Sequence, residues 1–172
     1  NQPQAKILLK YYNQFRFQLC SGQIRFSGQD LLEGKDNSEI FKTISSINKV
    51  QNYAISDIII ANFSNLEEIN IIKKLKRTYN ISNISTIPLL ESEVDVDYAI
   101  KNLAKIIKLD NISQIMKAGS DDTKFSGMAS SILNFAKLGY AIQNLNTKNK
   151  PIFFIGMGTS IERSGGPLFY RK

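Results

Sequence analysis

The chain has 172 residues, 42% of them hydrophobic, which is enough for one core and points to a single domain. Its 22 basic and 15 acidic side chains leave a charge of +7, but the lysines are scattered over helix-patterned stretches (Lys73, Lys74, Lys76, Lys101, Lys105, Lys108). That is a solvated surface rather than the clustered footprint of a nucleic-acid binder. Histidine is absent and Cys20 is the only cysteine, which excludes His-based triads, His-ligated zinc and an intrachain disulfide, and favours a reducing, cytoplasmic setting.

In chain order, residues 4–14 have helical spacing through Ile7, Leu8, Tyr11 and Tyr12, and Phe15, Phe17 and Leu19 then alternate as in a strand. A second strand is expected near 22–27, with Arg25 at its end. Gly28 and the run 34–38 read as loop, and Ser38 is the expected N-cap of a helix carrying Ile40, Phe41, Ile44 and Ile47. The run Ile58-Ile59-Ile60 fits a strand buried on both faces. Asn65 then introduces a helix with Leu66, Ile69, Ile72 and Leu75 on its apolar side.

Strand residues Ile84 to Leu90 lead to Glu91, and the next helix is expected to bury Ile100, Leu103 and Ile107. Ile112 to Met116 makes another strand. Met128, Ile132, Phe135 and Ile142 mark the longest helix, and Pro151 to Ile155 is the last strand. No apolar run approaches membrane-spanning length, and no signal-peptide pattern opens the chain.

The strand centres Ile59, Ile87 and Ile115 stand 28 residues apart (87 − 59 and 115 − 87), the length of a βαβ crossover. The expected class is therefore α/β, with parallel βα repeats forming about five strands of a (β/α)8, TIM-type barrel. A flavodoxin-like open sheet is the structural rival. No linker interrupts residues 1–172, which read as one partial barrel domain. The loop-like close over residues 165–172 and the lack of an initiating Met suggest a piece of a longer protein. Five strands leave barrel edges open, so the isolated chain is expected to aggregate.

In barrels of this kind, functional side chains gather where the strands end. Glu91 and Asp121 follow adjacent strands, and two such carboxylates suit Mg²⁺ or Mn²⁺. The competing reading makes each of them the cap of its following helix. The loop from Gly156 through Gly158 to Gly165 offers backbone N–H groups to an anion, with Arg163 as a guanidinium fork. A tight turn is the alternative there, and Ile161 in place of a third glycine excludes a dinucleotide fingerprint. Arg25 and Lys124 are further candidate anion ligands. Snorkelling and an ordinary first-turn lysine are their plainer explanations.

These pieces, in this order, resemble phosphoenolpyruvate carboxylase over nearly the whole chain. Residues 15–25, Phe15-Arg16-Phe17-Gln18-Leu19 through Ile24-Arg25, are similar to the family's F-G-F-H-L-x-x-L-D-I-R segment. Ile87-Pro88-Leu89-Leu90-Glu91-Ser92 resembles V-P-L-F-E-T, and Gln114-Ile115-Met116 through Gly127 resembles Q-V-M-x-G-Y-S-D-S-x-K-D-x-G. Residues 154–166 line up with F-H-G-R-G-G-x-x-G-R-G-G, with Ile155 and Met157 standing where that pattern has His and Arg. Gln23 and Phe125 each replace a family Asp.

The resemblance implies a lyase that joins bicarbonate to phosphoenolpyruvate, giving oxaloacetate and phosphate, in a homo-oligomer, a tetramer by family habit. It implies Mg²⁺ or Mn²⁺ on Glu91 and Asp121. Arg163, Arg25 and Lys124 would serve catalysis, with Gly156, Gly158, Arg163 and Gly165 on the substrate. Another Mg²⁺-dependent pyruvate-enolate lyase, or a non-catalytic carboxylase-like binding protein, are the alternatives. The substitutions at Ile155 and Met157 favour the last.

Overall fold

A computed structural model describes residues 22–50, 54–118, 120–147 and 150–156, with 120–126 described through the backbone. Five strands, β1 (Gly22–Ser27), β2 (Ile55–Ala61), β3 (Ser85–Leu90), β4 (Gln114–Ala118) and β5 (Ile152–Gly156), alternate with helices. The helices are α1 (Gly28–Leu32), α2 (Ser38–Val50), α3 (Leu66–Thr78), α4 (Glu93–Leu109) and α5 (Ser120–Gln143). The expected helix at 4–14, the strand at 15–19, Cys20 and the loop beyond Gly156 lie outside the described residues.

All four neighbouring strand pairs are parallel, and the spatial order is the sequence order, β1-β2-β3-β4-β5. A flavodoxin-like sheet would have the order 2-1-3-4-5 with helices on both faces, and the described strands do not have that order. The two sheet faces are covered differently. Ile58, Ile60, Leu90 and Ile115 pack with helix residues such as Phe41, Ile44, Ile69, Ile72, Val96, Leu103 and Leu138. The opposite face gathers Ile59, Ala61, Ile87, Leu89 and Met116 with Ala118 and Phe154, all from strands. One helix-covered face and one strand-only face describe the wall of a TIM-type barrel, of which these five strands are a part.

The local chemistry explains the element ends. Asn65 caps α3 by accepting the Glu67 N–H at 3.0 Å, as its side chain suggested. Ser92 caps α4, and the Asp95 carboxylate returns a bond to the Ser92 N–H at 2.9 Å, completing a capping box. Ser38 is instead the first residue of α2. Phe41 N–H reaches the Asn37 carbonyl, which puts the cap one residue earlier than expected, and Asp36 accepts the Ser38 N–H at 2.9 Å. Asn48, late in α2, pairs its amide with both backbone groups of Ile55 at 3.1 Å and so ties the helix to the start of β2.

Three helix faces differ from the periodicity reading, and in α2 Ile40 and Ile47 are exposed while Asn48 is buried with Phe41 and Ile44. Among the described side chains of α5, Ser131, Asn134, Leu138 and Ile142 are buried, whereas Met128 and Ile132 are exposed and Phe135 is half-buried. Gly127, at φ 82° and ψ 167°, breaks the helix just before this stretch and resets its phase. Lys76 does not lie on a solvated face. It is buried, and its ammonium meets Asp110 Oδ2 at 2.7 Å and Thr86 Oγ1 at 3.2 Å. Among the described residues no helix is long and apolar enough to cross a membrane.

Candidate active site

Three strands stop within one residue of each other. The register aligns Leu90 with Lys117 and Lys117 with Ile155, so the chain leaves β3 at Glu91, β4 at Ala118 and β5 at Gly156 along a common row. Strand alternation puts Leu89 on the strand-only face and Leu90 on the helix face, so Glu91 begins the barrel mouth on the inner side. Asp121 follows Ala118 by three residues, in the first turn of α5. The glycine loop starts at Gly156, whose backbone pairs with Ala118.

Glu91 is not the cap of α4, since Ser92 fills that role. Its backbone N–H donates to Asp95 Oδ2 at 3.1 Å, and its carboxylate Oε2 accepts the Asn62 N–H at 3.1 Å. Asn62 follows β2 in the left-handed region, at φ 52°, which Asn tolerates better than most residues. That turn of the backbone aims its N–H at the neighbouring strand end. The other carboxylate oxygen, Oε1, takes no hydrogen bond from the described residues.

Glu91 and Asp121 are carboxylates of the type that a hard divalent cation takes, and each follows one of two adjacent strands. Mg²⁺ needs only one or two carboxylates and completes its shell with water and substrate oxygens. Among the described residues no three Asp, Glu or Cys side chains converge into a fuller protein cage.

Of the remaining expected site residues, Arg25 is described with its side chain, and Lys124 and Gly156 through the backbone. Arg25 is exposed on the inner face, in register with Ile59, and Ile59 in turn with Ile87. Glu91 lies two strands across and four residues farther along. Lys124 belongs to the helical span of α5, and Gly156 ends β5. The side chains of Asp121 and Lys124, and all of Gly158, Arg163 and Gly165, fall outside the described residues.

Asn62, Asp95 and Lys117 surround Glu91 and were not singled out from the sequence. Ser92 and Asp95 did carry a readable signal, the S-x-x-D spacing of a capping box. Asn62 offered only its place after an isoleucine run.

A second carboxyl stands close to this mouth. Glu68, in the first turn of α3, is fully buried, and its Oε1 accepts the Ser64 hydroxyl at 3.1 Å and the Ser64 N–H at 3.3 Å. Its Oε2 has no hydrogen-bond partner among the described residues. A Cβ at position 28 would come within 2.5 Å of that oxygen, so a larger residue at the β1–α1 turn would displace the Glu68 carboxylate.

Burial raises the Glu68 pKa to about 6, against the bonds from Ser64, with a smaller push from Asp95. The folded state thus holds this proton more tightly than the unfolded chain does. Its contribution to stability is greatest below about pH 4.5 and is lost as pH rises through about 6. We expect Glu68→Gln to raise stability at pH 7 by about 1–2 kcal/mol, on about 1.4 kcal/mol per pH unit, and to flatten that pH dependence. Urea unfolding at pH 4.5, 6 and 7.5 measures it, and an unchanged pH slope in the variant would refute it.

No family model matches the chain. It is similar to a phosphoenolpyruvate carboxylase of Prochlorococcus marinus (strain MIT 9312), at 31% identity over 104 residues, covering 51% of this chain and 10% of that protein. The phosphoenolpyruvate carboxylases of strains MIT 9301 and AS9601 are each 30% identical over the same length, with the same coverage. The match spans about a tenth of the length of these relatives. The likeness to phosphoenolpyruvate carboxylases is thus distant and partial.

Proposed function

We propose that this chain supplies part of the active-site rim of a phosphoenolpyruvate carboxylase-type lyase. The observation that carries the reading is the common row of strand ends. Glu91, the turn leading to Asp121, and the start of the glycine loop at Gly156 leave three adjacent strands within one residue of each other. The distant similarity to phosphoenolpyruvate carboxylases points the same way.

Glu91 and Asp121 would hold Mg²⁺ or Mn²⁺, which supplies positive charge to the substrate carboxylate and enolate oxygens. Arg163 and the backbone N–H groups from Gly156, Gly158 and Gly165 bind the phosphoryl oxygens, and Arg25 and Lys124 add positive charge for phosphate and bicarbonate. A bicarbonate oxygen attacks phosphorus, and the P–O bond to the enol oxygen breaks with its electron pair staying on the enolate. The resulting carboxyphosphate releases CO₂ and phosphate, and the enolate carbon attacks CO₂ to give oxaloacetate. The apolar inner face of Ile59, Ile87, Leu89, Met116 and Phe154 keeps water from the enolate. With no histidine in the chain, proton transfers fall to a carboxylate, a lysine, water or a residue from elsewhere in the protein.

The full-length protein, given phosphoenolpyruvate and Mg²⁺, is expected to form oxaloacetate only when bicarbonate is present, and Arg163→Ala to lower that rate by orders of magnitude. Product that is independent of bicarbonate would favour another enolate lyase. A folded, Mg²⁺-binding protein without product would favour the non-catalytic reading, for which Ile155 and Met157 are the specific features.

A further inference from the structure

Lys117 occupies a position where the fold asks for an apolar residue. It sits in β4 on the helix-covered face, in register with Leu90 and Ile155, and its exposure is 0%. Every buried neighbour along that face of the sheet is aliphatic or aromatic apart from Thr86. An ammonium is costly there unless it is fully engaged. Methionine or leucine would fill the same volume without that cost.

The ammonium is engaged at the row of strand ends. It donates to the carbonyl of Ala118, where β4 stops, and to the carbonyl of Glu91 at 3.4 Å, where β3 stops. The ring of Phe135, from α5, lies 5.5 Å from it and covers it from the helix side. Glu91 is thereby held at three points: its N–H by Asp95, its C=O by Lys117 and its Oε2 by the Asn62 N–H. Fixing both peptide groups of a residue fixes the direction in which its side chain leaves the backbone.

We infer that Lys117 is a positioning residue that aims the Glu91 carboxylate by clamping the ends of β3 and β4 from beneath, an inference that rests on the metal-binding role proposed above for Glu91. A ligand set with only two carboxylates gains most from such support, because each ligand must be held to within about half an ångström.

The test uses the full-length protein as wild type, Lys117→Met, which keeps the volume and removes the charge, and Lys117→Gln, which keeps a neutral donor. Mn²⁺ binding is followed by electron paramagnetic resonance, and deuterium uptake is followed at the peptide containing Asn62. We expect wild type to bind Mn²⁺, Lys117→Met to bind at least tenfold more weakly with a near-wild-type melting temperature, and Lys117→Gln to fall between them. Equal affinity in all three overturns the inference and leaves Glu91 as a ligand. If wild type binds no Mn²⁺, the metal role of Glu91 falls. The clamp is then decided by Asn62, where faster uptake in Lys117→Met upholds it and unchanged uptake overturns it. Should Lys117→Met not fold, Lys117→Gln decides both readouts on the same terms.

Discussion

Glu91→Gln is expected to lower oxaloacetate formation by at least a thousandfold, about 4 kcal/mol of barrier, with little change in melting temperature. The asymmetry follows from what the side chain does. Gln keeps an oxygen that accepts the Asn62 N–H, so the bond that fixes the side chain at 3.1 Å survives. The charge does not survive, and with the proposed ligand set of two carboxylates its loss would remove half of the negative charge offered to the cation. Melting and steady-state kinetics on the same preparation decide the matter. A variant that retains activity within tenfold of wild type would remove Glu91 from the site.

Asp110→Ala carries the largest expected loss of stability. Asp110 follows α4 at the opposite, N-terminal end of the strands, where its carboxylate meets Lys76 at 2.7 Å and the Thr86 hydroxyl at 2.6 Å. The two charged side chains are only 4% and 14% exposed. Alanine would leave the Lys76 ammonium buried beside one hydroxyl, and breaking a buried pair from one side costs about 3–5 kcal/mol. The Lys35–Asp30 pair, with side chains 58% and 45% exposed, is screened by solvent and should by contrast contribute little. Urea unfolding of Asp110→Ala and of a Lys76→Met/Asp110→Leu double variant separates the terms. The double variant should recover most of the loss, and a single-variant cost below about 1 kcal/mol would contradict the account.

The division of labour between the two strand ends was only half legible from residues. The strands were readable because Ile58-Ile59-Ile60 and Ile87 to Leu90 are continuous apolar runs, which a sheet packed on both faces requires. Their even spacing fixed the repeat, but only the observed strand order distinguished a barrel wall from an open doubly wound sheet. Asn65 announced the start of α3 because capping is local chemistry.

Lys76 was misread because its partner stands 34 residues away. Its spacing from Ile69 and Ile72 does place it on the buried stripe, so the pattern held the information once a buried lysine was admitted. The buried face of α5 was missed because Ser131 and Asn134 are polar residues on the inward side. At the site, Glu91 and Asp121 stood out by following strands. Asn62 and Lys117 act on Glu91 through backbone groups, N–H to carboxylate and ammonium to carbonyl, and no residue pattern records such contacts.

The measurement that bears most directly on the proposed reaction is the fate of oxygen label. The full-length protein is given phosphoenolpyruvate, Mg²⁺ and bicarbonate carrying ¹⁸O in all its oxygens, and the phosphate and oxaloacetate are analysed by mass spectrometry at early times. Attack of bicarbonate on phosphorus predicts one labelled oxygen in each phosphate formed and two in the new carboxylate. Unlabelled phosphate alongside labelled oxaloacetate, or no oxaloacetate at all, would contradict it.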